Sequence, residues 1–335
     1  MKKKNSAQLD LFGAPDPAPP TSSELAPIPT PDPVLVELAS RVPKNVRFGT
    51  SSWTFRGWAG NVYRRAYPND ATFTQRSLEE YARFPLVRTV GIDRSYYSPI
   101  PESELSSYAA QLPQGFRCVT KVWQEITTYS FPRHSRWKER AGQNNPNFLS
   151  QELFRNHFFD PFSRSFDGHA GPFVFEIPPA GSRVNPDEFA ERVRHFLREA
   201  PQPAQYAFEI RDSHLLTPRY VAALREHNAT HVFNSWSRMP SIEEQRKAVG
   251  DSTADFMVAR LMTPPGGDYA TLERAFTPFD RMKMPQPAIR QHVIQMIKNA
   301  IRFDRDIAII VNNKLEGSSP LTIKAIIELL LNELA

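Results

Sequence analysis

Short runs rich in β-branched and aromatic residues alternate with helical patterns along most of this 335-residue chain. Strands are predicted at 46–51, 87–93, 116–122, 172–178, 206–211, 230–236, 256–262 and 307–313. Helical patterns separate them near 73–84, 101–112, 150–166, 186–199, 218–228, 241–249, 285–303 and 319–334. Pro186 and Pro218 fall where first-turn prolines belong. Eight β-then-α units predict an α/β fold of the (β/α)8 TIM type, with a doubly wound parallel sheet as the alternative. Residues 46–335 form one barrel domain on this reading, a stretch long enough for one large core.

The pattern is absent from residues 1–45, which read as a disordered arm. Nine of the 33 residues from 13 to 45 are proline. Proline removes backbone donors and favours extended conformations, so this part is a semi-stiff leash, with a coil-like reach of about 30 Å and roughly 100 Å when extended. One short helix interrupts it, with Asp32 as cap, Pro33 at the first position and Val34 to Ala39 following. Ahead of the leash, Gln8, Leu9, Asp10, Leu11 and Phe12 place three large apolar side chains in a segment unable to fold alone. This stretch resembles the short peptide by which bacterial replication and repair proteins dock on the DNA sliding clamp. The resemblance implies hydrogen bonds to Gln8 and an apolar pocket for Leu9, Leu11 and Phe12. The alternative is a staple that packs back on the domain.

Other signals narrow the setting. Lys2 to Lys4 are followed by no apolar run, so no signal peptide is expected, and no stretch is long enough for a membrane span. A single cysteine, Cys118, excludes an internal disulfide framework. A cytoplasmic protein is the expectation. The arm holds five basic and five acidic residues, so the net charge of +5 belongs to the folded part, a weak hint of polyanion partners.

Gly49-Thr50-Ser51-Ser52-Trp53, then Trp58 and Tyr67-Pro68, resemble the opening signature of the YecE-like family (domain of unknown function 72). Further matches are Tyr96-Tyr97, Phe116 with Lys121 and Thr127, Ile177-Pro178-Pro179, Glu209-Ile210-Arg211, Arg260, and Asn312-Asn313 with Gly317 and Pro320. The resemblance implies an α/β barrel and no defined reaction. The chain departs from the family at Ser52, Gly91, Asp93, Arg94, Glu176 and Lys314, which implies altered ligand chemistry.

Parallel barrel strands are buried on both faces, so a charge in one is costly unless paired. Asp93, Lys121, Glu176, Glu209, Arg211, Asn234, Arg260, Asn312 and Asn313 all fall at or near predicted C-terminal strand ends, the face where barrel enzymes build sites. Glu176 and Glu209 are the candidate catalytic or metal-binding carboxylates. Lys121, Arg211 and Arg260 suit an anion, and Asp93, Asn234, Asn312, Asn313 and Trp53 are further ligand-binding candidates. The alternative is a structural network in which these charges neutralise one another. In the loop after the third strand, Arg133, Arg136, Lys138 and Arg140 are interleaved with aromatic residues, a mixture suited to nucleic acid. The first loop, from Trp53 to Tyr67, repeats it; an aromatic lid is the alternative for both. No cofactor motif appears, and a divalent ion on Glu176, Glu209 and His214 is only weakly supported.

These residues suggest a hydrolase-like enzyme acting on a nucleic-acid or other phosphate-containing ligand, a phosphoester or a nucleobase, and brought to DNA by the clamp. The alternatives are a non-catalytic adaptor and a sugar-phosphate enzyme.

Overall fold

The computed structural model describes residues 25–131, 135–181 and 184–335, the side chains of 135 and 136 excepted. Its strands are β1 (Val46–Thr50), β2 (Gly91–Ile92), β3 (Cys118–Lys121), β4 (Ala170–Ile177), β5 (Tyr206–Ile210), β6 (Thr230–Asn234), β7 (Phe256–Leu261) and β8 (Asp306–Val311). All are parallel, in the order β1-β8-β7-β6-β5-β4-β3-β2. Each strand expected from the sequence is present, and the sheet curls into a nearly closed TIM-type barrel. β2 is reduced to two residues.

The helices are α1 (Pro33–Ser40), α2 (Asp70–Ala82), α3 (Glu102–Ala109), α4 (Gln124–Thr127), α5 (Gln151–Phe154), α6 (Asp160–Ser165), α7 (Pro186–Glu199), α8 (Pro218–Glu226), α9 (Ile242–Val249), α10 (Tyr269–Phe276), α11 (Pro287–Arg302) and α12 (Ser319–Leu334). α1 forms as expected: Asp32 caps it by accepting from Val34 N, and Pro33 occupies the first turn. Its Leu35, Leu38 and Ala39 pack on the barrel core. Arg88, ahead of β2, donates to the carbonyls of Ala39, Val42, Pro43 and Val46, satisfying the end of α1 and the turn after it.

Between α5 and α6, Arg155–Phe159 form a π-helical turn, so the three run on as one rod. Phe154, Phe158, Phe162 and Phe166 recur every four residues. An α-helix would rotate that row steadily off one face; the wider π turn counters the drift. Phe154, Phe158 and Phe162 stack in sequence at 6.1 Å and face Phe173 on β4.

The barrel closes between β1 and β2 by close approach. Arg88 N and Thr89 N both donate to Phe48 O, at 2.9 and 3.3 Å. A Cβ at Gly49 would stand 2.2 Å from Thr89 O, so only glycine lets the strands come this near. Tyr81 of α2 bridges the seam, its phenol accepting from Thr50 N and donating to Thr89 O.

Inside, strand alternation sets two layers. Val119, Val174, Ala207, Val232, Val258 and Ile310 form a lower apolar layer. Two residues further along β3, β4, β5 and β7 come Lys121, Glu176, Glu209 and Arg260, which fill the layer above.

Candidate active site: a closed ring of six charges

Register brings Glu176 and Glu209 side by side on neighbouring strands, an arrangement that two carboxylates tolerate only with cations between them. Arg211, just past β5, supplies the first: its Nη2 lies 2.7 Å from Glu176 Oε2 and 2.9 Å from Glu209 Oε1. Arg260 reaches Glu209 from β7, with Nε 2.8 Å from Oε2. These two atoms are misaligned for a hydrogen bond and interact through charge. The rest of the Arg260 guanidinium grips Asp93 by both oxygens, at 2.9 and 2.7 Å. Lys121 completes the circuit, with Nζ 2.5 Å from Glu176 Oε2 and 3.6 Å from Asp93 Oδ2. Acid and base alternate around the whole ring, and its formal charge is zero.

Depth divides the ring. Arg260 and Glu209 side chains are fully buried, whereas Asp93 is 22% exposed and Lys121, Arg211 and Glu176 are 9, 9 and 6% exposed. Burial alone would raise the Asp93 and Glu176 carboxyls, but the neighbouring cations outweigh it and hold both below the ordinary range. Burial pulls the Lys121 ammonium down, and Asp93 and Glu176 more than restore it. Arg211 and Arg260 are held protonated in the same way. The reachable edge therefore presents a carboxylate, an ammonium and a guanidinium, all ionised at neutral pH.

Aromatic faces rim this edge. Trp236 lies over Arg211, with its ring centroid 4.3 Å from Cζ, and Tyr96 lies 5.0 Å from Lys121 Nζ. Tyr97 is exposed beside them. Tyr269 and Lys314 complete the mouth, Nζ lying 4.0 Å from the Tyr269 ring centroid. The strand-end rule had already pointed to the ring. For Trp236, Tyr97, Tyr269 and Lys314 the signal was their position just beyond strands or, for Tyr269, behind the capping Asp268 of α10.

Other expected site residues lie outside the ring and make structural contacts, although Asn313 Nδ2 and Trp53 Nε1 are buried without a hydrogen-bond partner among the described residues. Asn234 is fully buried, its amide donating to Ile210 O and Val232 O and accepting from Trp236 N. Asn313 Oδ1 accepts from Trp58 Nε1 and Ser319 N, tying the first loop to α12. Asn312 joins Ser51 Oγ to Lys314 N. Trp53 packs edge-on against Tyr108. His214 bonds the Val184 carbonyl at 3.2 Å, and among the described residues no three His, Cys, Asp or Glu side chains come together as a metal site. Cys118 is a buried thiol of the barrel wall.

The two basic loops resolve differently from a bare phosphate grip. Arg140 pairs with Glu125, which also accepts from Asn147, and its guanidinium stacks 3.8 Å from the Phe131 ring. Lys138 is exposed, at φ 48°. Arg133, the Arg136 side chain and the peptide Gln8, Leu9, Leu11 and Phe12 lie outside the described residues. In the first loop Trp58, Tyr63 and Tyr67 pack together and against Phe73 of α2. Glu80 gathers Arg64 N, Arg65 N and Tyr67 OH, and Arg56 pairs with Asp70. The aromatic residues of this loop thus pack inward and Arg56 is paired, as the lid alternative expects.

Comparison with known proteins agrees with the fold. The family model described as "Protein of unknown function DUF72" matches residues 47–334. No curated protein matches the chain. The structure of a DUF72 family protein from Enterococcus faecalis V583 aligns with a TM-score of 0.57 and 14% identity, over 86% of this chain and 95% of that one. One from Thermotoga maritima MSB8 aligns with a TM-score of 0.56 and 18% identity, over 84% and 99%. No helix among the described residues is long and apolar enough to cross a membrane. With the family match spanning the barrel from its first strand to its last helix, this chain belongs to the DUF72 family.

Proposed function

We propose that the barrel mouth is the active site of a hydrolase-like enzyme for a phosphate-bearing, nucleotide-like ligand, and that residues 8–12 bring it to the DNA sliding clamp. The observation that carries this reading is the weakest link of the ring, at Lys121. Its contact to Asp93, at 3.6 Å, is the longest in the circuit and lies on the reachable edge. A ligand phosphate competes with Asp93 for Lys121 across that weak contact and takes Lys121 and Arg211 as its cations. A base or sugar stacks on Trp236 and Tyr96.

Glu176 is the general base on this reading. As long as Lys121 and Arg211 hold it, its carboxylate is a poor proton acceptor. A phosphate that draws those two cations away restores its basicity at the moment a ligand is present. Arg260 and Glu209 lie beneath and keep Asp93 and Arg211 in place.

Calorimetric titration of the full chain with deoxynucleoside monophosphates, inorganic phosphate and a short single-stranded oligonucleotide tests the site. Saturable binding that Lys121→Met weakens at least about tenfold, the loss of one charge-assisted contact, is expected. No binding at millimolar ligand, or binding indifferent to Lys121→Met, rejects it. For the arm, a peptide of residues 5–14 should bind a bacterial sliding clamp with roughly micromolar affinity. Leu11→Ala with Phe12→Ala should abolish that binding.

A further inference from the structure

Beyond β8 the chain sets one more cation at the mouth, outside the ring. Lys314 is only 5% exposed. Its backbone is fixed, since Lys314 N donates to Asn312 Oδ1 and Gly317 N closes the turn on Asn313 O. Its Nζ sits 4.0 Å from the centroid of Tyr269 and 5.5 Å from that of Phe279, so aromatic faces replace much of its water. The carboxylate facing it, Glu273 Oε1, stands off at 3.8 Å. Lys247 and Lys298 meet their glutamates at 2.7 and 2.6 Å and Lys121 is locked into the ring at 2.5 Å, while Lys324, as loosely paired as Lys314 at 3.7 Å from Glu328, keeps its water at 43% exposure.

This setting is that of a nucleophilic amine. An ammonium deprived of water and only loosely paired gives up its proton more readily than one in solvent. Burial does pull Lys314 below its ordinary value, against the opposing influence of Glu273 and Tyr97. Tyr97 and Tyr269 also feel the charge of Lys121, so the amine shares the mouth with the edge of the ring.

We propose that Lys314 forms an imine with the aldehyde carbon of a small sugar phosphate bound at the mouth. The phosphate part of that substrate rests on the reading given under Proposed function; the amine chemistry does not. The Nζ lone pair attacks the carbonyl carbon, and the carbonyl electron pair moves to oxygen, which takes up a proton. The carbinolamine oxygen then takes up a second proton and leaves as water while the nitrogen lone pair closes the C=N bond, giving a protonated imine; the two protons carried off in the water are two of the three on the Lys314 ammonium. No oxidant or reductant is needed. Glu273 Oε1 is placed to carry the proton from nitrogen to the departing hydroxyl. The protonated imine stays a cation and keeps its seat on Tyr269 and Phe279.

Reductive trapping tests this directly. The full chain is incubated at neutral pH with glycolaldehyde, or with D-glyceraldehyde 3-phosphate, in the presence of sodium cyanoborohydride, and the adduct is located by peptide mass mapping. One adduct at Lys314, formed at least about tenfold faster than at Lys247 or Lys324, is expected, because the poorly hydrated amine is more often unprotonated at neutral pH. Lys314→Arg keeps the charge and should remove this adduct without changing the melting temperature much. Modification spread over the surface lysines with no preference for Lys314, or an unchanged pattern in Lys314→Arg, overturns the proposal. Preference for the phosphorylated aldehyde supports the phosphate reading as well. Equal reactivity of both at Lys314 supports the amine and counts against the phosphate.

Discussion

Two layers of side chains fill the barrel, and they are made of opposite materials. The lower layer of valines, with Ala207 and Ile310, is dry and uncharged, the usual filling of such a lumen. The upper layer, one side-chain step towards the mouth, holds six ionised groups, two of them wholly sealed from water. Each buried valine stabilises the fold by about 1.5–3 kcal/mol. Each buried ion costs several kcal/mol in lost hydration, which its partners repay only when geometry is good. An apolar upper layer would hold the barrel together at least as well, so stability does not account for the ring. What the ring supplies is a fixed pattern of charge at one end of an otherwise inert cylinder.

Breaking the ring at its sealed end gives the largest effect. Arg260→Met leaves Asp93 and Glu209 each short of a cation and should cost about 3–5 kcal/mol in chemical denaturation. Adding Glu209→Leu restores charge balance and should recover much of that loss. By contrast Glu209→Gln alone does not orphan Arg211, which Glu176 also holds, so it should be milder.

Outside both layers, between β6 and its helices, His231 gives a comparison by pH. Its Nδ1 faces Tyr220 OH and its Nε2 faces Gln245 Oε1, whose amide nitrogen is already spent on Asn234 O and Pro240 O. Burial pushes the imidazole down to about 4, against 6.5 for a free one. The unfolded chain therefore binds the proton first. Stability is complete above pH 6.5 and is lost as pH falls towards 4, by about 3 kcal/mol in all. The ring carboxylates Asp93 and Glu176 titrate below their ordinary values and add their loss at lower pH still. Urea melts between pH 7 and 4 should show the first loss, and His231→Phe should flatten it.

In the apolar layer, Val258→Ala should cost about 2 kcal/mol and leave ligand binding unchanged. The smallest stability effect belongs to Lys121→Met at the reachable end. Glu176 keeps Arg211 and Asp93 keeps Arg260, so the cost should stay near 1 kcal/mol while ligand affinity falls. A variant series in which stability and binding fall together would erase the distinction between the two ends of the ring.

Much of this arrangement was readable in the sequence because a charge inside an apolar strand has to be explained. Glu176, Glu209 and Arg260 stood out for that reason. Their pairing was not readable: Asp93 and Arg260 are 167 residues apart and meet only when the barrel closes. Asn234 drew attention on the same grounds, yet an asparagine plugging backbone carbonyls has the same sequence signature as one awaiting a ligand. α10 was overlooked because Pro264, Pro265, Gly266 and Gly267 before it and Pro278 after it mark the region as loop. The helix survives between them through the Asp268 cap and the packing of Leu272 and Phe276 on Phe279 and Phe55.

The glycine seam also bears on how the chain folds while it is being made. β1 has its hydrogen-bonded ladder with β8, so Val46 meets Ile307 only after 261 further residues have been synthesised. At roughly 5–20 residues per second that is a wait of about 13 to 50 s on the ribosome. Throughout it, the contacts available to β1 are the local ones at the seam: the Tyr81 phenol, the two donors to Phe48 O, and the Arg88 clasp that ties α1 and the start of β1 to the approach of β2. A feature that in the finished barrel is merely its narrowest joint is, for the nascent chain, the berth in which the first strand waits for the last.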